Sequence, residues 1–234
     1  EPGAKPWGMK GIPEDFSFDQ IPDDFDHLEP YLEAAMHLLP ILEETGLQLF
    51  FNGPESFTPD DRYQLVESPE CRNYFVAAGF NSVGIQSAGG AGKVLADWIQ
   101  KDHPPQDLWS VDIRRNNPFQ GTQRYLFERT TETLGLLYET HYPFKQFRTA
   151  RGVRRSVLHS QLENLGAVFG CENGWERANW FADEGQERKY EYSFGKQNWF
   201  DNNKREHENV RNAVGVIDQS SFSKYQVEGP GVVK

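Results

Sequence analysis

The chain has 234 residues, with 24 Lys and Arg against 35 Asp and Glu, so its formal net charge is −11 at pH 7. This acidic balance argues against a general nucleic-acid-binding protein, whose affinity depends on cations that neutralise phosphates. Aromatic residues make up 14% of the chain, enough to fill a hydrophobic core, which argues against wholesale disorder.

The sequence lacks the patterns of membrane insertion, secretion and metal binding. No apolar run approaches the roughly 20 residues of a membrane span, and the N-terminus has no signal-peptide pattern. Cys71 and Cys171 are far apart and without a CxxC motif, which predicts two reduced thiols. Asp15 and Asp19 have the spacing of a calcium loop, but Gln20 stands where that loop needs Gly, so a solvated acidic segment is predicted instead. We expect the chain to be an internal piece of a longer polypeptide.

Apolar residues at three- and four-residue spacing predict a first helix over 27–45. Asp26 is the expected N-cap and Pro30 is expected in the first turn, where proline is tolerated. Pro40 is expected to kink the helix and Gly46 to end it.

Two strands and a second helix are predicted next. The strands are Leu47–Asn52 and Tyr74–Phe80, and the second is apolar on both faces, as in a covered sheet. The helix is predicted over Ala91–Gln100, so the order is strand, glycine-rich turn, helix.

Further elements are predicted along the rest of the chain: helices over 122–138, 157–165 and 204–212, strands over 215–218 and 222–228, and connectors over 102–117 and 143–155. In the first of these helices we expect Leu126, Leu134, Leu137 and Tyr138 to face inward. Ser156 is the expected cap of the second.

The glycine-rich turn is the most informative local feature. Its five glycines are Gly79, Gly84, Gly89, Gly90 and Gly92. Glycine lets a backbone approach a ligand closely, and the start of a helix favours an anion or an electron-rich carbonyl. The spacing is neither GxGxxG nor GxxxxGK[ST], so a cofactor contact and a tight structural turn both stay open.

Three other segments have alternative interpretations. The loop 53–60 carries polar groups on Glu55, Ser56, Thr58 and Asp60 and is either a turn or a ligand contact. The arginines Arg148, Arg151, Arg154 and Arg155 bind phosphate or the acidic N-terminal segment, or form ion pairs. The aromatic run over 175–200 stacks a planar ligand or forms a core or an interdomain wedge.

Taken together, several segments resemble the sarcosine and dimethylglycine dehydrogenase family. Three segments resemble the family's oxidase domain: GPESFTPD at 53–60, YFVAAGFNSVGI at 74–85 and AGGAGKVLADWI at 88–99. Three later segments resemble a glycine-cleavage T-protein-like domain: LGAVFG at 165–170, GWERANWF at 174–181 and AVGVIDQSSFSKYQVEGPG at 213–231. The resemblance implies an α/β (α+β) fold. It places the C-terminal part of a FAD-binding oxidase domain at 1–101, a central linking domain at 102–155 and the truncated start of an aminomethyltransferase-like domain at 156–234.

The same resemblance implies a function. Members hold FAD and oxidise the N-methyl group of sarcosine or dimethylglycine, pass the electrons to an electron-transfer flavoprotein or oxygen, and transfer the one-carbon unit to tetrahydrofolate. Their final flavin-contacting loop matches Gly79, Phe80, Asn81, Ser82, Val83, Gly84 and Ile85. The helix predicted to begin near Gly90 would point its N-terminus at the flavin pyrimidine. A bacterial cytoplasm or mitochondrial matrix is the implied location.

The chain departs from the family at Val66, where Gly is usual, and a β-branched residue disfavours positive φ. This departure keeps open a non-catalytic relative similar to the pyruvate dehydrogenase phosphatase regulatory subunit. The family's dinucleotide fingerprint, flavin-attachment His and downstream folate-binding residues are not in this sequence. We therefore expect the isolated 234 residues to be inactive and not to hold FAD tightly, and their first ~100 residues to be poorly stable alone.

Overall fold

The computed structural model describes residues 5–232, which form five α-helices, several 3-10 turns and two small antiparallel sheets. This mixture confirms the predicted α/β (α+β) class. The chain divides into two compact units, the first ending at Glu139 and the second beginning at Thr140. Among the described residues, no helix has the length and apolar character needed to cross a membrane. Cys71 and Cys171 carry free thiols, as expected.

The first helix is shorter at its C-terminus than predicted and begins earlier. Helix α1 spans Phe25–Leu38 and is followed by a 3-10 turn, Pro40–Glu44. Asp24, not Asp26, is the N-cap, since its Oδ1 accepts from the His27 backbone N–H at 3.1 Å. The earlier start puts Pro30 in the second turn, and Pro40 ends the helix rather than kinking it.

The predicted strand Leu47–Asn52 is wrong. This segment is irregular and has no strand partner among residues 5–232. Leu47, Leu49 and Phe51 are exposed, so the apolar alternation there is not matched by burial. The segment is tied instead to residues 21–22, because Asn52 O accepts from Ile21 N at 2.9 Å.

The first sheet pairs the predicted second strand with one that the sequence analysis missed. Strand β1 is Gln64–Glu67 and strand β2 is Phe75–Ala78, antiparallel with Val66 opposite Val76. Leu65 and Val66 are both buried in β1. Val66 is therefore a well-placed β-branched strand residue whose φ is not positive, so its replacing Gly does not strain the backbone here. Ala77 and Ala78 are exposed, so β2 is not covered on both faces by described residues.

Helix α2 spans Gly84–Lys101, seven residues longer at its N-terminus than predicted. Its buried residues Ala91 and Trp98 lie seven apart, two turns along one face. The Trp98 ring packs edge-on against Phe75 of β2, with ring centroids 5.8 Å apart. This packing ties α2 to the first sheet.

The rest of the first unit is more structured than a connector. Three 3-10 turns, Trp109–Val111, Ile113–Arg115 and Pro118–Gly121, lead into helix α3, Gln123–Tyr138. The predicted helix is confirmed, but its buried residues are Tyr125, Arg129 and Thr133. Of the residues predicted to face inward, Leu126, Leu134 and Leu137 are half-buried, whereas Tyr138 is exposed, so the prediction for Tyr138 is wrong. The buried stripe includes polar residues, which a hydrophobic-spacing rule does not find.

The second unit is built on an antiparallel hairpin. Its elements are α4, His159–Asn164; β3, Ala167–Glu172; β4, Trp175–Phe181; and α5, Phe200–Asn212. Val168, Trp180 and Trp199 form its core. The aromatic run thus includes a strand and supplies core residues. The predicted helices at 157–165 and 204–212 exist, with shifted starts, and Ser156 Oγ accepts from Leu158 N at 3.2 Å rather than capping α4 itself.

The last two predicted strands, over 215–218 and 222–228, are wrong. Residues 213–232 form turns and irregular backbone with no strand. Val214, Val216 and Val227 are exposed, so the β-branched residues that suggested strands have no sheet to pack on.

Candidate functional site

The sharpest backbone feature of the first unit is the turn between β2 and α2. Gly79, Asn81 and Ser82 have φ of +64°, +50° and +62°. Positive φ is uncommon for residues other than glycine and clusters at functional sites, where surrounding contacts maintain it. The turn is therefore held in place by contacts that offset its conformational cost.

Asn81 supplies most of those contacts. Its side chain is buried, and its Oδ1 accepts from the Thr58 backbone N–H at 2.7 Å. Its Nδ2 donates to Gly79 O at 2.7 Å, and its own backbone N–H donates to Ser56 O at 3.2 Å. One side chain thus joins the loop 53–60 to the turn at 79–82.

Gly79 has two reasons to be glycine. Its φ is positive, and a Cβ built on it would lie 2.7 Å from Thr58 Cγ2. The backbone of the turn therefore lies directly against the Thr58 side chain, a proximity that only glycine allows.

A second contact between these segments lies on the solvent side. Ser82 Oγ donates to Glu55 Oε2 at 2.5 Å. Both residues are exposed, so a carboxylate stands at the surface beside the start of α2.

Among residues 5–232, no side chain caps the first backbone amides of α2. The first amides of any α-helix lack intrahelical acceptors, and Val83, the N-cap, provides no side-chain hydrogen bond. The ladder begins only with Ser87 N, which donates to Val83 O at 3.0 Å. Ile85 is fully exposed. Free N–H groups together with the positive end of the helix dipole form a site for an anion or a carbonyl oxygen.

The glycine-rich segment is mostly not a turn, and the expectation that the helix begins near Gly90 is wrong. Gly89, Gly90 and Gly92 lie inside α2, and a Cβ built on any of them would meet nothing within 4 Å. The helix start was predicted too late because glycine is unfavourable in helix interiors. The donors of this site therefore come from the first turn, Gly84–Gln86, and not from residues as far as Gly92.

Arg115 is a site component that the sequence analysis missed. Its Nε donates to Asp60 Oδ2 at 2.6 Å and its Nη2 to Asp60 Oδ1 at 3.0 Å, a bidentate pair. Its Nη1 donates to Gln64 Oε1 at 2.8 Å, and the side chain is buried. Arg115 thus fixes the end of the loop 53–60 against β1. No sequence motif marks it, since it comes from a charged stretch predicted as a connector.

Asp61 is the unusual carboxyl of this region. Burial raises its pKa to about 6, and the neighbouring charge of Asp60 adds to the shift. Its Oδ1 is buried and has no hydrogen-bond partner in the described part of the chain. Asp60 and Asp61 are adjacent yet differ: the first forms an ion pair with Arg115, and burial raises the pKa of the second.

In the second unit, the arginine cluster forms internal contacts. Arg151 Nε donates to Glu176 Oε1 at 2.9 Å, and Gly152 N donates to the same oxygen at 2.6 Å. Arg154 lies over the Trp175 ring, 4.5 Å from its centroid. Burial alone would raise the pKa of Glu176, but the hydrogen bonds from Arg151 and Gly152 outweigh it, so the pKa lies below its ordinary value. Arg151 therefore forms an ion pair, which was one of the alternatives predicted for the arginines.

The chain is similar to known protein families along almost its whole length. Three family models match in succession: FAD dependent oxidoreductase over 7–98, FAD dependent oxidoreductase central domain over 101–156, and GCVT N-terminal domain over 158–234. The turn at 79–82, the start of α2 and the loop 53–60 all fall in the first match. The chain therefore has the sequence of an FAD-dependent oxidoreductase joined to a GCVT-type domain.

Three curated relatives show which proteins of this class the chain is similar to. The chain is 42% identical over its full length to 4-methylaminobutanoate oxidase (formaldehyde-forming) of Paenarthrobacter nicotinovorans, covering 28% of that protein. It is 35% identical to mouse mitochondrial dimethylglycine dehydrogenase over 95% of the chain and 25% of that protein. It is also 35% identical to the mouse mitochondrial pyruvate dehydrogenase phosphatase regulatory subunit, over 89% of the chain and 24% of that protein.

The chain matches these family models in the order that its resemblance to sarcosine and dimethylglycine dehydrogenases implies, and dehydrogenases of both names align with 82–95% of the chain, which confirms the resemblance seen in the sequence. It spans about a quarter of the length of the curated relatives it matches.

Proposed function

We propose that the chain is part of an enzyme that uses FAD to oxidise the N-methyl group of a methylamino acid such as sarcosine or dimethylglycine. The observation that carries this proposal is the uncapped first turn of α2, which follows directly on the positive-φ turn. The chemistry that FAD supplies when bound is acceptance of a hydride from the methyl carbon.

In this proposal the flavin-contacting residues are the set given by the family resemblance: Gly79, Phe80, Asn81, Ser82, Val83, Gly84 and Ile85. Their roles differ. Gly79 and Asn81 set the backbone course of the turn through Thr58, while Gly84 and Ile85 lie in the first turn of α2, which has no side-chain cap among the described residues. Donors at a helix N-terminus stabilise negative charge on the reduced flavin, which fits an electron-accepting ring at this place.

The test compares two glycine-to-aspartate substitutions in the same helix of the full-length protein. Gly84→Asp adds a carboxylate to the first turn of α2, whereas Gly89→Asp, the control, adds one further along at a position with open space. We expect Gly84→Asp to lower the flavin midpoint potential by roughly 20–40 mV or to reduce flavin content, since like charge disfavours the reduced anion. Gly89→Asp should leave both unchanged. Equal effects of the two variants would contradict the assignment of these residues.

Two finer parts of the proposal concern the whole protein. The one-carbon product passes to tetrahydrofolate in the GCVT-type region, and the electrons pass to an electron-transfer flavoprotein or to oxygen. Formaldehyde release from sarcosine, dimethylglycine and 4-methylaminobutanoate, measured with and without tetrahydrofolate, tests the first part. Oxygen consumption with and without the flavoprotein tests the second. A bacterial cytoplasm or mitochondrial matrix suits this chemistry and stays part of the proposal.

The second candidate is a non-catalytic regulator, favoured by the 35% identity to the phosphatase regulatory subunit. Absorbance of the full-length protein near roughly 450 nm separates the two, because oxidised flavin absorbs there. Bound flavin that methylamino acids bleach supports the enzyme. A protein that takes up no flavin on reconstitution supports the regulator.

A further inference from the structure

Glu55 is the carboxylate of the loop 53–60 whose charge no cation balances in the described part of the chain. The loop and the residue that follows it carry three carboxyl groups, on Glu55, Asp60 and Asp61. Asp60 forms a bidentate ion pair with Arg115, and Asp61 is half-buried with its Oδ1 buried. Glu55 is exposed and takes part in none of the ion pairs of the described residues. Its negative charge is therefore left for a ligand.

The Glu55 carboxylate is held beside the turn that precedes α2. Pro54, immediately before it, has a φ fixed by its ring, and Ser56 O, immediately after it, accepts from the Asn81 backbone N–H at 3.2 Å. Ser82 Oγ donates to Glu55 Oε2 at 2.5 Å. This neutral donor orients the carboxylate without cancelling its charge, and it uses only one of about four acceptor sites that a carboxylate has.

The proposed substrates share the group that such a carboxylate attracts. Sarcosine, dimethylglycine and 4-methylaminobutanoate each carry a protonated amine at neutral pH, as alkyl amines do. The methyl carbon that gives up the hydride is bonded directly to that nitrogen. A flavin beside residues 79–85 therefore brings the substrate ammonium to the same turn, where Ser82 holds the Glu55 carboxylate.

We propose that Glu55 is a specificity-determining residue whose carboxylate binds the ammonium group of the methylamino acid. This inference rests on the proposed function and deepens it, because it names the group that selects a cationic amine over an uncharged molecule of the same shape. Hydrogen bonds between ionised partners are stronger than neutral ones. Because the contact is to the nitrogen, it serves methylamino acids of different chain length alike.

Two ligands of equal shape separate charge from fit. Trimethylglycine carries a quaternary ammonium, and tert-butylacetate has a carbon atom in place of that nitrogen and the same carboxylate. Neither has the nitrogen lone pair that oxidation of an N-methyl group requires, so both bind without turnover. Each is titrated calorimetrically into the full-length, flavin-loaded protein. We expect the wild type to bind trimethylglycine about fivefold more tightly, the upper range for an exposed ion pair.

The main variant is Glu55→Gln, which keeps the shape of the side chain and removes its charge. It should weaken trimethylglycine binding about fivefold and leave tert-butylacetate binding unchanged. The matched control is Glu70→Gln, because Glu70 is also exposed in the first unit and has no ion pair among the described residues. This control should bind both ligands as the wild type does.

A second variant covers the case in which Glu55→Gln does not fold. Ser82→Gly removes the hydroxyl that orients the carboxylate, and glycine suits the φ of +62° at this position. It should reduce the preference for trimethylglycine over tert-butylacetate about twofold. An unchanged preference in this variant would contradict the placement of Glu55.

Flavin bleaching, measured on the same wild-type sample, keeps this inference separate from the proposed function. If neither sarcosine, dimethylglycine nor 4-methylaminobutanoate bleaches the flavin, the proposed function fails and the role of Glu55 falls with it. With bleaching intact, three results overturn the role of Glu55 alone. They are equal affinity of the wild type for the two ligands, an unchanged preference in folded Glu55→Gln, and no binding of trimethylglycine at roughly 10 mM.

Discussion

Asn81 and Thr58, 23 residues apart, are joined through a buried amide: the Thr58 backbone N–H donates to Asn81 Oδ1 at 2.7 Å. This bond links the GPESFTPD loop to the turn before α2. It also explains why two segments that looked independent in the sequence belong to one site.

Replacing Asn81 should separate its side-chain role from its backbone role. Asn81→Ala removes the amide and places alanine at φ +50°, and Asn81→Gly removes only the amide. We expect Asn81→Gly to cost about 2 kcal/mol, because Thr58 N is left without its acceptor, and Asn81→Ala about 1 kcal/mol more. Urea unfolding measures both. If the two variants are equally stable, the positive φ carries no cost.

Gly79→Ala should be among the more destabilising changes in the first unit, at about 2–3 kcal/mol, because it combines a positive φ with a 2.7 Å approach to Thr58 Cγ2. Thr58→Ser removes that methyl group and keeps the hydroxyl that donates to Arg62 O at 3.0 Å. In a double-mutant cycle, Gly79→Ala should cost less on the Thr58→Ser background. Strict additivity would show that only the backbone conformation matters.

Asp61 should make the chain less stable as pH rises. Its folded pKa of about 6 lies above its ordinary value of 3.8, so between these values the folded state binds more protons than the unfolded state. The stability is thus full below about pH 4 and falls until about pH 6. Asp61→Asn cannot ionise and suits the positive φ of this position.

We expect Asp61→Asn to gain about 1 kcal/mol at pH 7, a value reduced from the full pKa conversion because the carboxyl is partly solvated. The gain should vanish near pH 4. Thermal unfolding across this range measures it, and a gain that does not depend on pH would contradict an origin in ionisation.

Glu176 should show the opposite pH dependence in the second unit. Its pKa is lowered in the folded state, so its contribution is present at neutral pH and is lost as the solution becomes acidic enough to protonate it. Glu176→Gln leaves the half-buried Arg151 guanidinium without its counter-charge, and we expect a loss of about 2 kcal/mol at pH 7. Glu172→Gln on β3 is the control, since Glu172 is exposed. A comparable loss in the control would contradict the role of the ion pair.

The sequence predicted the long helices and the family well, because apolar periodicity and specific motifs extend over many residues. Prediction from the sequence failed where the pattern of buried residues differs from the pattern of apolar residues. Strand β1 has two adjacent buried residues, Leu65 and Val66, instead of alternation, so it gave no period-two signal. Leu47–Asn52 and Gly215–Asp218 have strand-like composition and no pairing partner among the described residues.

The candidate site was only partly predictable for a similar reason. The loop 53–60 and the turn at 79–82 stood out through Gly, Pro and polar residues. The bonds from Asn81 to Thr58 and from Arg115 to Asp60 join residues 23 and 55 positions apart, and no local pattern encodes such pairs. The start of α2 was predicted too late because a run of glycines is typical of a turn.

Three glycines inside α2 also have a dynamic consequence. Each weakens a helix interior by about 0.5–1 kcal/mol relative to alanine, and none gains packing in return, whereas Trp98 anchors the C-terminal half. The N-terminal half of α2 should therefore open more readily, and its amide hydrogens should exchange with deuterium sooner than those around Trp98. The N-terminal end of α2, which has the uncapped amides, is therefore also the end whose backbone can best adjust to a bound group.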